Sequence, residues 1–345
     1  MSIRTRNTIR MRDIAADLGI SAITVSKALR NQGRISAEMR ERVLSRAKEL
    51  NYRPDLTARS LATGRTFLVG MVVPDLMHPF FADIAKALAH NLCEKGYSLV
   101  IASSDEDPVV ELQEIESLLA RRIDTLVIAS SEHAKSSRIF RCIQEAAIPY
   151  LLLDRPIRGL NSHFVGSDDM AIGKLATEHL IERGYRRLAH IGLSKVSTGN
   201  RRLDGFKAIL KRHGRTIKSD LVILVESGDE RGEECGFVAM QKLLTVKPRP
   251  DAVFCYNDII AAGAQKALLE AGLSIPGDVA LIGASNLAGL SSWNMLQVPL
   301  STIDQDVPQL AAQAMQQILQ MQDRHQAVEP KKTLVPLKLI VREST

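Results

Sequence analysis

The chain has 345 residues, 45% apolar and 24% charged, the composition of a soluble globular protein long enough for two or three domains with their own cores. No apolar run reaches the roughly 18 residues that a membrane span needs, and the basic start, MSIRTRNTIRMRD, has no apolar stretch behind it, so neither a membrane location nor secretion is expected. The net charge of +6 is uneven: residues 1–65 hold 14 Lys and Arg against 6 Asp and Glu, the remainder 31 against 33. An anionic partner is therefore expected for the first fifth of the chain only. Cys93, Cys142, Cys235 and Cys255 lie far apart with no CxxC, which reads as free thiols in a reducing cytoplasm. The eight histidines form no ligand-spaced pair, so no metal and no cofactor is expected.

In chain order, residues 9–18 (IRMRDIAADL) put Ile9, Met11, Ile14, Ala15 and Leu18 at helical spacing. Gly19 suits the left-handed end of that helix and Ser21 the cap of the next. The second helix, AITVSKALRN, has Val25, Ala28 and Leu29 on one face and Ala22, Ile23, Ser26 and Lys27 on the other. A third starts at Ser36, with Met39, Val43, Ala47 and Leu50 as its apolar stripe. Two short helices joined by a tight glycine turn and braced by a third make a helix-turn-helix pattern. In that geometry the second helix enters the major groove N-terminus first. Ala22 and Ile23 then meet thymine methyls, and Lys27 is the candidate reader of guanine. The hydroxyls of Ser21, Thr24 and Ser26 suit phosphate oxygens, with Arg10, Arg34 and Arg40 as further phosphate contacts.

These residues carry a resemblance. MRDIAADLGISAITVSKALRN, followed by RISAEMRERVLSRAKELNYRPDLTARSLATGRT, resembles the DNA-binding headpiece of the lactose/galactose-repressor (LacI/GalR) family of bacterial transcription regulators. The match is dense over about 60 residues, and Lys27 stands where the family has Lys or Arg. Residues 1–52 are then the DNA-binding domain and 53–66 a hinge. Within the hinge, Asp55 is placed to cap LTARSLA, a two-turn helix ended by Gly64 and too short to be stable alone. It is expected to fold only against the same helix of a second chain on DNA. The resemblance implies that Leu61 wedges into the minor groove, that Ala58 allows close approach, and that Arg59 reaches phosphate. Asp55 stands where the family's hinge usually begins with Asn.

From Phe67 onward, short apolar runs alternate with amphipathic stretches. Strands are expected at FLVGMVV, YSLVIAS, DTLVIAS, PYLLLD, RLAHIGL, LVILVES, AVFCYN and VALIG. Helices are expected over 81–94, 109–121, 136–147, 169–183, 202–213, 231–244 and 258–271. This alternation predicts an α/β effector domain over 67–345, made of two doubly wound parallel-sheet subdomains. Ligands bind such sheets beyond the carboxyl ends of the strands. Polar residues stand there: Ser104, Ser130, Asp154 with Arg155, Asp168 with Asp169, and Asn257 with Asp258. With Phe80, Phe81 and Trp293 they suit a polyhydroxylated ligand, although Ser, Asp and Asn at such places also serve as helix caps.

VPDLMHPFF, LLLDRP, NRRLDGF, FCYNDIIAAGAQKAL and IPGDVALIG extend the same resemblance, toward an effector domain like that of periplasmic sugar-binding proteins. It implies ligand contacts at His78, Phe80, Asp154, Arg202 and Asp258. It also implies crossings between subdomains near residues 166, 295 and 326, giving an N-subdomain of 67–166 with 296–326 and a C-subdomain of 167–295 with 327–345. Gly283-Ala284-Ser285-Asn286 departs from the family's usual G-F-D-[DN], removing an aromatic and a carboxylate from the pocket rim. The expected function is a ligand-responsive repressor, a homodimer on a palindromic operator, answering to a sugar or a purine-type corepressor. A sugar-transport protein fits the larger domain but not the basic headpiece. A doubly wound enzyme is disfavoured by the lack of G-x-x-x-x-G-K-[ST], G-x-G-x-x-G and G-x-S-x-G.

Overall fold

The computed structural model describes residues 9–29, 31, 33–53, 60, 61, 63–131, 138–157, 159–194, 196–226, 232–287, 296–323 and 329–345. The chain divides into two compact units, residues 1–66 and 67–345.

The first unit is built on three helices: α1 (Met11–Leu18), α2 (Ala22–Leu29) and α3 (Ala37–Glu49). Gly19 ends α1 at φ +66, a conformation that costs a glycine nothing, and its N–H reaches back to the carbonyls of Ala15 and Ala16. Ser36 caps α3 by accepting from Met39 N at 3.2 Å. Ile14, Ala15, Val25, Ala28, Val43 and Ala47 form a small buried core. Met11, expected on the apolar stripe of α1, is instead 36% exposed and outside that core. Arg46 clamps α3 to α1, its Nη2 lying 2.6 Å from Asp17 while Nη1 holds Glu49 at 2.8 Å.

The second unit contains two six-stranded sheets. The first is β2 (Ser98–Ser103), β1 (Leu68–Val73), β3 (Thr125–Ile128), β4 (Tyr150–Leu153), β5 (His163–Gly166) and β11 (Lys332–Leu334), all parallel. The helices α4 (Pro79–Glu94), α5 (Pro108–Ala120) and α6 (Arg138–Ala146) connect its strands. In the second sheet the order is β7 (Val222–Val225), β6 (Leu188–Leu193), β8 (Ala252–Cys255), β9 (Ala280–Ala284), β10 (Ser301–Asp304) and β12 (Lys338–Ile340). Its helices are α7 (Asp169–Glu182), α8 (Ser197–Arg212), α9 (Gly232–Thr245) and α10 (Asp258–Glu270). α11 (Val307–Met321) returns to pack on α4. Apolar side chains cover both faces of each sheet, which is why the central strands read as unbroken apolar runs.

Two features differ from expectation. β12 runs antiparallel to β10, with Thr302 opposite Ile340, so the second sheet is not wholly parallel. β10 also pairs with β9, Ser301 opposite Ile282, and so belongs to the second subdomain. The chain therefore crosses after Gly166, after Asp304 and after Leu334, the last two later than residues 295 and 326. The cause is local: STID is mostly polar and KLI is only three residues long, so neither shows the apolar run that marks a strand.

Glycines set how closely the helices of the second subdomain pack. A Cβ on Gly173 of α7 would stand 2.0 Å from the Arg202 carbonyl oxygen of α8, and one on Gly205 would stand 2.2 Å from that of Met170. Gly263 of α10 and Gly236 of α9 make the same reciprocal contact, with clashes of 1.8 Å and 2.1 Å against the Glu233 and Ile260 carbonyls. Only hydrogen fits at these crossings. Gly263→Ala is expected to lower unfolding free energy by about 1–3 kcal/mol through overpacking, despite alanine's better helix propensity. A urea titration that left the midpoint unchanged would contradict this packing.

Candidate functional site

In the first unit, Ser21 starts α2. Its Oγ accepts from Thr24 N at 3.1 Å and meets Thr24 Oγ1 at 2.9 Å. The helix dipole and free N–H groups at this end favour a negative ligand. Ala22, Ile23 and Lys27 are exposed and Ser26 is half-buried. Ile23, at 68% exposure, is a large apolar side chain that the core does not use. The stem of Lys27 passes Gly33, where an added Cβ would lie 3.3 Å from Lys27 Cδ, so the turn supports the stem. Arg10 and Arg34 are also exposed. Leu61 is 79% exposed. Asp55, Ala58 and Arg59 lie outside the described residues, as does Trp293 of the second unit.

In the second unit, strand ends converge between the two sheets. A cavity there is lined by His78, Phe80 and Phe81 after β1, Asp154 and Arg155 after β4, Leu193 at the end of β6, and Arg202 on α8. Tyr256 and Asn257 after β8, Ser285 after β9 and Gln305 after β10 complete it. Its free space is about 20 Å³, room for little more than one water. Side chains fill the rest of the cleft.

The charges are buried and mostly paired. Arg202, 3% exposed, donates from Nε to Asp169 Oδ1 at 3.0 Å, from Nη1 to the Tyr256 carbonyl at 2.7 Å and from Nη2 to Gln305 Oε1 at 3.4 Å. Its guanidinium also lies 4.4 Å from the Tyr256 ring centroid. The neighbouring Arg201 points outward to Asp168 at 3.3 Å. Arg155 donates twice to Glu106, at 2.6 and 2.8 Å. Asp154 sits at φ +63, and among the described residues no donor is bonded to its carboxylate. Burial pushes its carboxyl above the ordinary range while Arg202 and Arg155 pull it back. Burial likewise pushes Asp169 up to about 6, against the pull of Arg202. His78 caps α4, its Nδ1 accepting from Phe80 N at 3.2 Å, and its Nε2 meets Asn257 Nδ2 at 3.2 Å across the cleft. Burial, then the nearby Arg155 and Arg202, bring His78 down to about 3, so it is neutral.

Five of the expected residues, Ser104, Ser130, Asp168, Asp169 and Asp258, do not line this cavity. Asp168 caps α7, accepting from Met170 N at 3.0 Å, and Asp169 is held by Arg202. Ser104 Oγ donates to the Val73 carbonyl at 3.3 Å, and Ser130 Oγ donates to the buried Glu111 at 2.5 Å. Asp258 turns toward the loop after β9, accepting from Thr302 Oγ1 at 2.7 Å and Leu287 N at 2.8 Å. In each case an internal hydrogen bond takes the polar group, as buried polar groups require. Leu193, Tyr256, Ser285 and Gln305 were not among the expected ligand residues. The strand-end rule reaches Arg155 and Tyr256. Gln305 was hidden because β10 was not recognised.

Residues 10–55 match the family described as bacterial regulatory proteins, lacI family, and residues 66–343 match periplasmic binding proteins and sugar binding domain of LacI family. The chain is 31% identical to the ribose operon repressor of Halalkalibacterium halodurans, over 97% of this chain and 96% of that protein. It is 33% identical to the HTH-type transcriptional repressor PurR of Haemophilus influenzae, over 90% of each. Among solved structures, the lac repressor bound to ONPG in the repressed state aligns with a TM-score of 0.81 at 25% identity, over 98% of this chain and 100% of that one. A complex of the regulator CelR with cellobiose aligns at 0.72 and 26%, with the same coverage. The chain belongs to the LacI family. It is a ligand-responsive, DNA-binding transcriptional repressor and not an enzyme. Among the described residues no helix is long and apolar enough to cross a membrane.

Two predictions come from the buried charges. Arg202→Met leaves Asp169 without its partner and should cost about 3–5 kcal/mol. Adding Asp169→Leu should restore most of that loss in urea denaturation; an additive double variant would show that the pair is not coupled. The second concerns His190, stacked between Phe206 and Phe254 with ring centroids 5.3 and 4.7 Å away, its Nδ1–H donating to the Phe254 carbonyl at 2.8 Å. Burial lowers it to about 4. A depressed histidine is neutral when folded, so its contribution is lost as pH falls from about 6.5 toward 4, where only the unfolded chain takes the proton. Asp169 and Asp258, both pushed up to about 6, act in the opposite direction. His190→Gln should therefore lose less stability than the parent between pH 7 and pH 5, by about 2 kcal/mol. Parallel pH slopes for the two proteins would sink the assignment.

Proposed function

We propose that this repressor is a cytoplasmic homodimer that reads a two-fold operator through α2 and answers to a sugar or sugar derivative held between the two sheets. The observation that carries the effector reading is Asp154, a buried carboxylate with no hydrogen-bond donor among the described residues, facing two guanidinium groups. A carboxylate accepts from vicinal hydroxyls, Arg202 and Arg155 donate, and Phe80 and Phe81 supply apolar cover. His78 and Asn257 complete the polar ring. Because the free space is so small, the ligand enters by opening the cleft, which breaks the His78–Asn257 contact. A ligand that binds the open and closed forms unequally shifts their populations, and that shift is the signal. Ala284 and Ser285, in place of the family's usual aromatic and carboxylate, leave fewer acceptors on the rim and favour a ligand with fewer hydroxyls there.

On DNA, Ile23 and Ala22 meet methyl groups, Lys27 reads a base edge, and Ser21, Thr24, Ser26 and Arg34 hold phosphates. Asp55 caps the hinge, Ala58 and Arg59 approach the backbone, and Leu61 inserts into the minor groove. The exposure of Leu61 supports this, as does the dimer, since one headpiece reads only a half-site. The edges of both sheets also carry exposed apolar side chains, Ile101 on β2 and Leu224 on β7, at 38% and 45%. Unprotected edges of this kind are suited to a second copy.

Two variants separate the sites. Asp154→Asn should weaken the stabilisation given by the active compound in a thermal-shift screen of sugars, sugar acids and purines, by about tenfold in affinity or more, with operator binding retained. Leu61→Ala should weaken a gel shift on the promoter DNA by about tenfold, with the ligand response retained. A purine hit that ignores Asp154→Asn would replace the sugar reading. Unchanged operator affinity in Leu61→Ala would remove the wedge.

A further inference from the structure

Hydrogen-bond donors outnumber acceptors where the two sheets meet across the effector cleft. His78 follows β1 of the first sheet and Asn257 follows β8 of the second. Both are buried, and His78 Nε2 lies 3.2 Å from Asn257 Nδ2. Each side chain also caps a helix. His78 Nδ1 accepts from Phe80 N at 3.2 Å at the start of α4, and Asn257 Oδ1 accepts from Ile260 N at 2.9 Å at the start of α10.

The result is a row of four groups: Phe80 N–H, the imidazole, the amide and Ile260 N–H. The two ends can only donate. A neutral imidazole has one donor and one acceptor nitrogen, and a side-chain amide has one donor end and one acceptor end. Two such groups in line cannot serve donors at both ends of the row. Changing the tautomer or flipping the amide only moves the place where N–H meets N–H. Burial keeps the ring neutral, and a proton added to it would be one more donor. The backbone N–H groups are fixed by their helices, where an unmet donor is costly. The mismatch therefore falls at the joint that can open, between His78 Nε2–H and the Asn257 amide N–H. Their separation leaves no room for a water between them.

We propose that this donor pair sets what the cleft accepts: His78 and Asn257 cannot latch the two sheets together by themselves, and an effector closes the cleft by placing between them an oxygen that accepts from both. The inference rests on the reading of this cleft as the effector site. It applies to a hydroxyl, carbonyl or carboxylate oxygen alike, and an ammonium group at that place is rejected. Asp154 makes the opposite demand, for a donor on the ligand. The cleft thus reads hydrogen-bond polarity at two places.

Two measurements test this on the full chain without effector, so their failure is distinct from failure of the thermal-shift screen. Nitrogen NMR of a histidine-labelled chain at neutral pH should show the His78 ring, assigned by its loss in His78→Phe, with its proton on Nε2 and none on Nδ1. The second is a thermal double-mutant cycle. Asn257→Asp supplies acceptors for both Ile260 N–H and His78 Nε2–H and so completes the row. His78→Phe should then lower the melting temperature by about 2–4 °C more in the Asn257→Asp background than in the parent. An equal cost in the two backgrounds overturns the proposal. A proton on Nδ1 overturns it too, and that result decides the matter even if Asn257→Asp does not fold.

Discussion

The cost of taking charge out of water governs the middle of this protein. Arg155, Arg202, Asp154 and Asp169 are buried where the two sheets face each other, and each ion so placed carries a penalty of several kcal/mol that good geometry must offset. Arg202 meets this with bonds to Asp169, to a strand-end carbonyl and to Gln305, which come from α7, the end of β8 and the end of β10. One guanidinium thus ties three elements together. Arg155 is paired within its own half with Glu106 through Nη1 and Nη2, while its buried Nε has no partner among the described residues. Asp154 is the member whose carboxylate has no bonded donor among the described residues, and that asymmetry is what supports the proposed effector site.

The headpiece works under a different constraint. Among the described residues its fully buried core is six small or medium apolar residues, too little for wide margins in a unit of this size. The surface residues therefore do not serve the core. Ile23 and Leu61 are apolar and exposed, a poor arrangement for an isolated chain and a useful one for a chain that works against DNA and a second copy.

Much of this was legible in the sequence, because each strong signal had one cause. Charge asymmetry and the Gly19–Ser21 turn placed the helix-turn-helix. Unbroken apolar runs placed the central strands, and the strand-end rule led to Asp154 and Asn257. The failures have a cause too. β10 (STID) is mostly polar and β11 and β12 are three residues long, so none stood out as an apolar run, and with them went Gln305 and the last two crossing points. Ser104, Ser130 and Asp258 have the right chemistry at the right end of a strand. Whether such a group faces a cavity or an internal partner depends on tertiary geometry, which local sequence does not encode.

The glycine crossings have a mechanical consequence. Where backbone meets backbone at α7 with α8, and at α9 with α10, the helices cannot slide or roll against one another without collision. The second subdomain is thereby stiff. The first is joined to it by three neighbouring lengths of chain, after Gly166, Asp304 and Leu334. A stiff body joined to its neighbour by three straps has its softest motion in a bend about the straps. A ligand wedged into the mouth of such a joint has few ways to be accommodated, and its binding energy is channelled into that single angle.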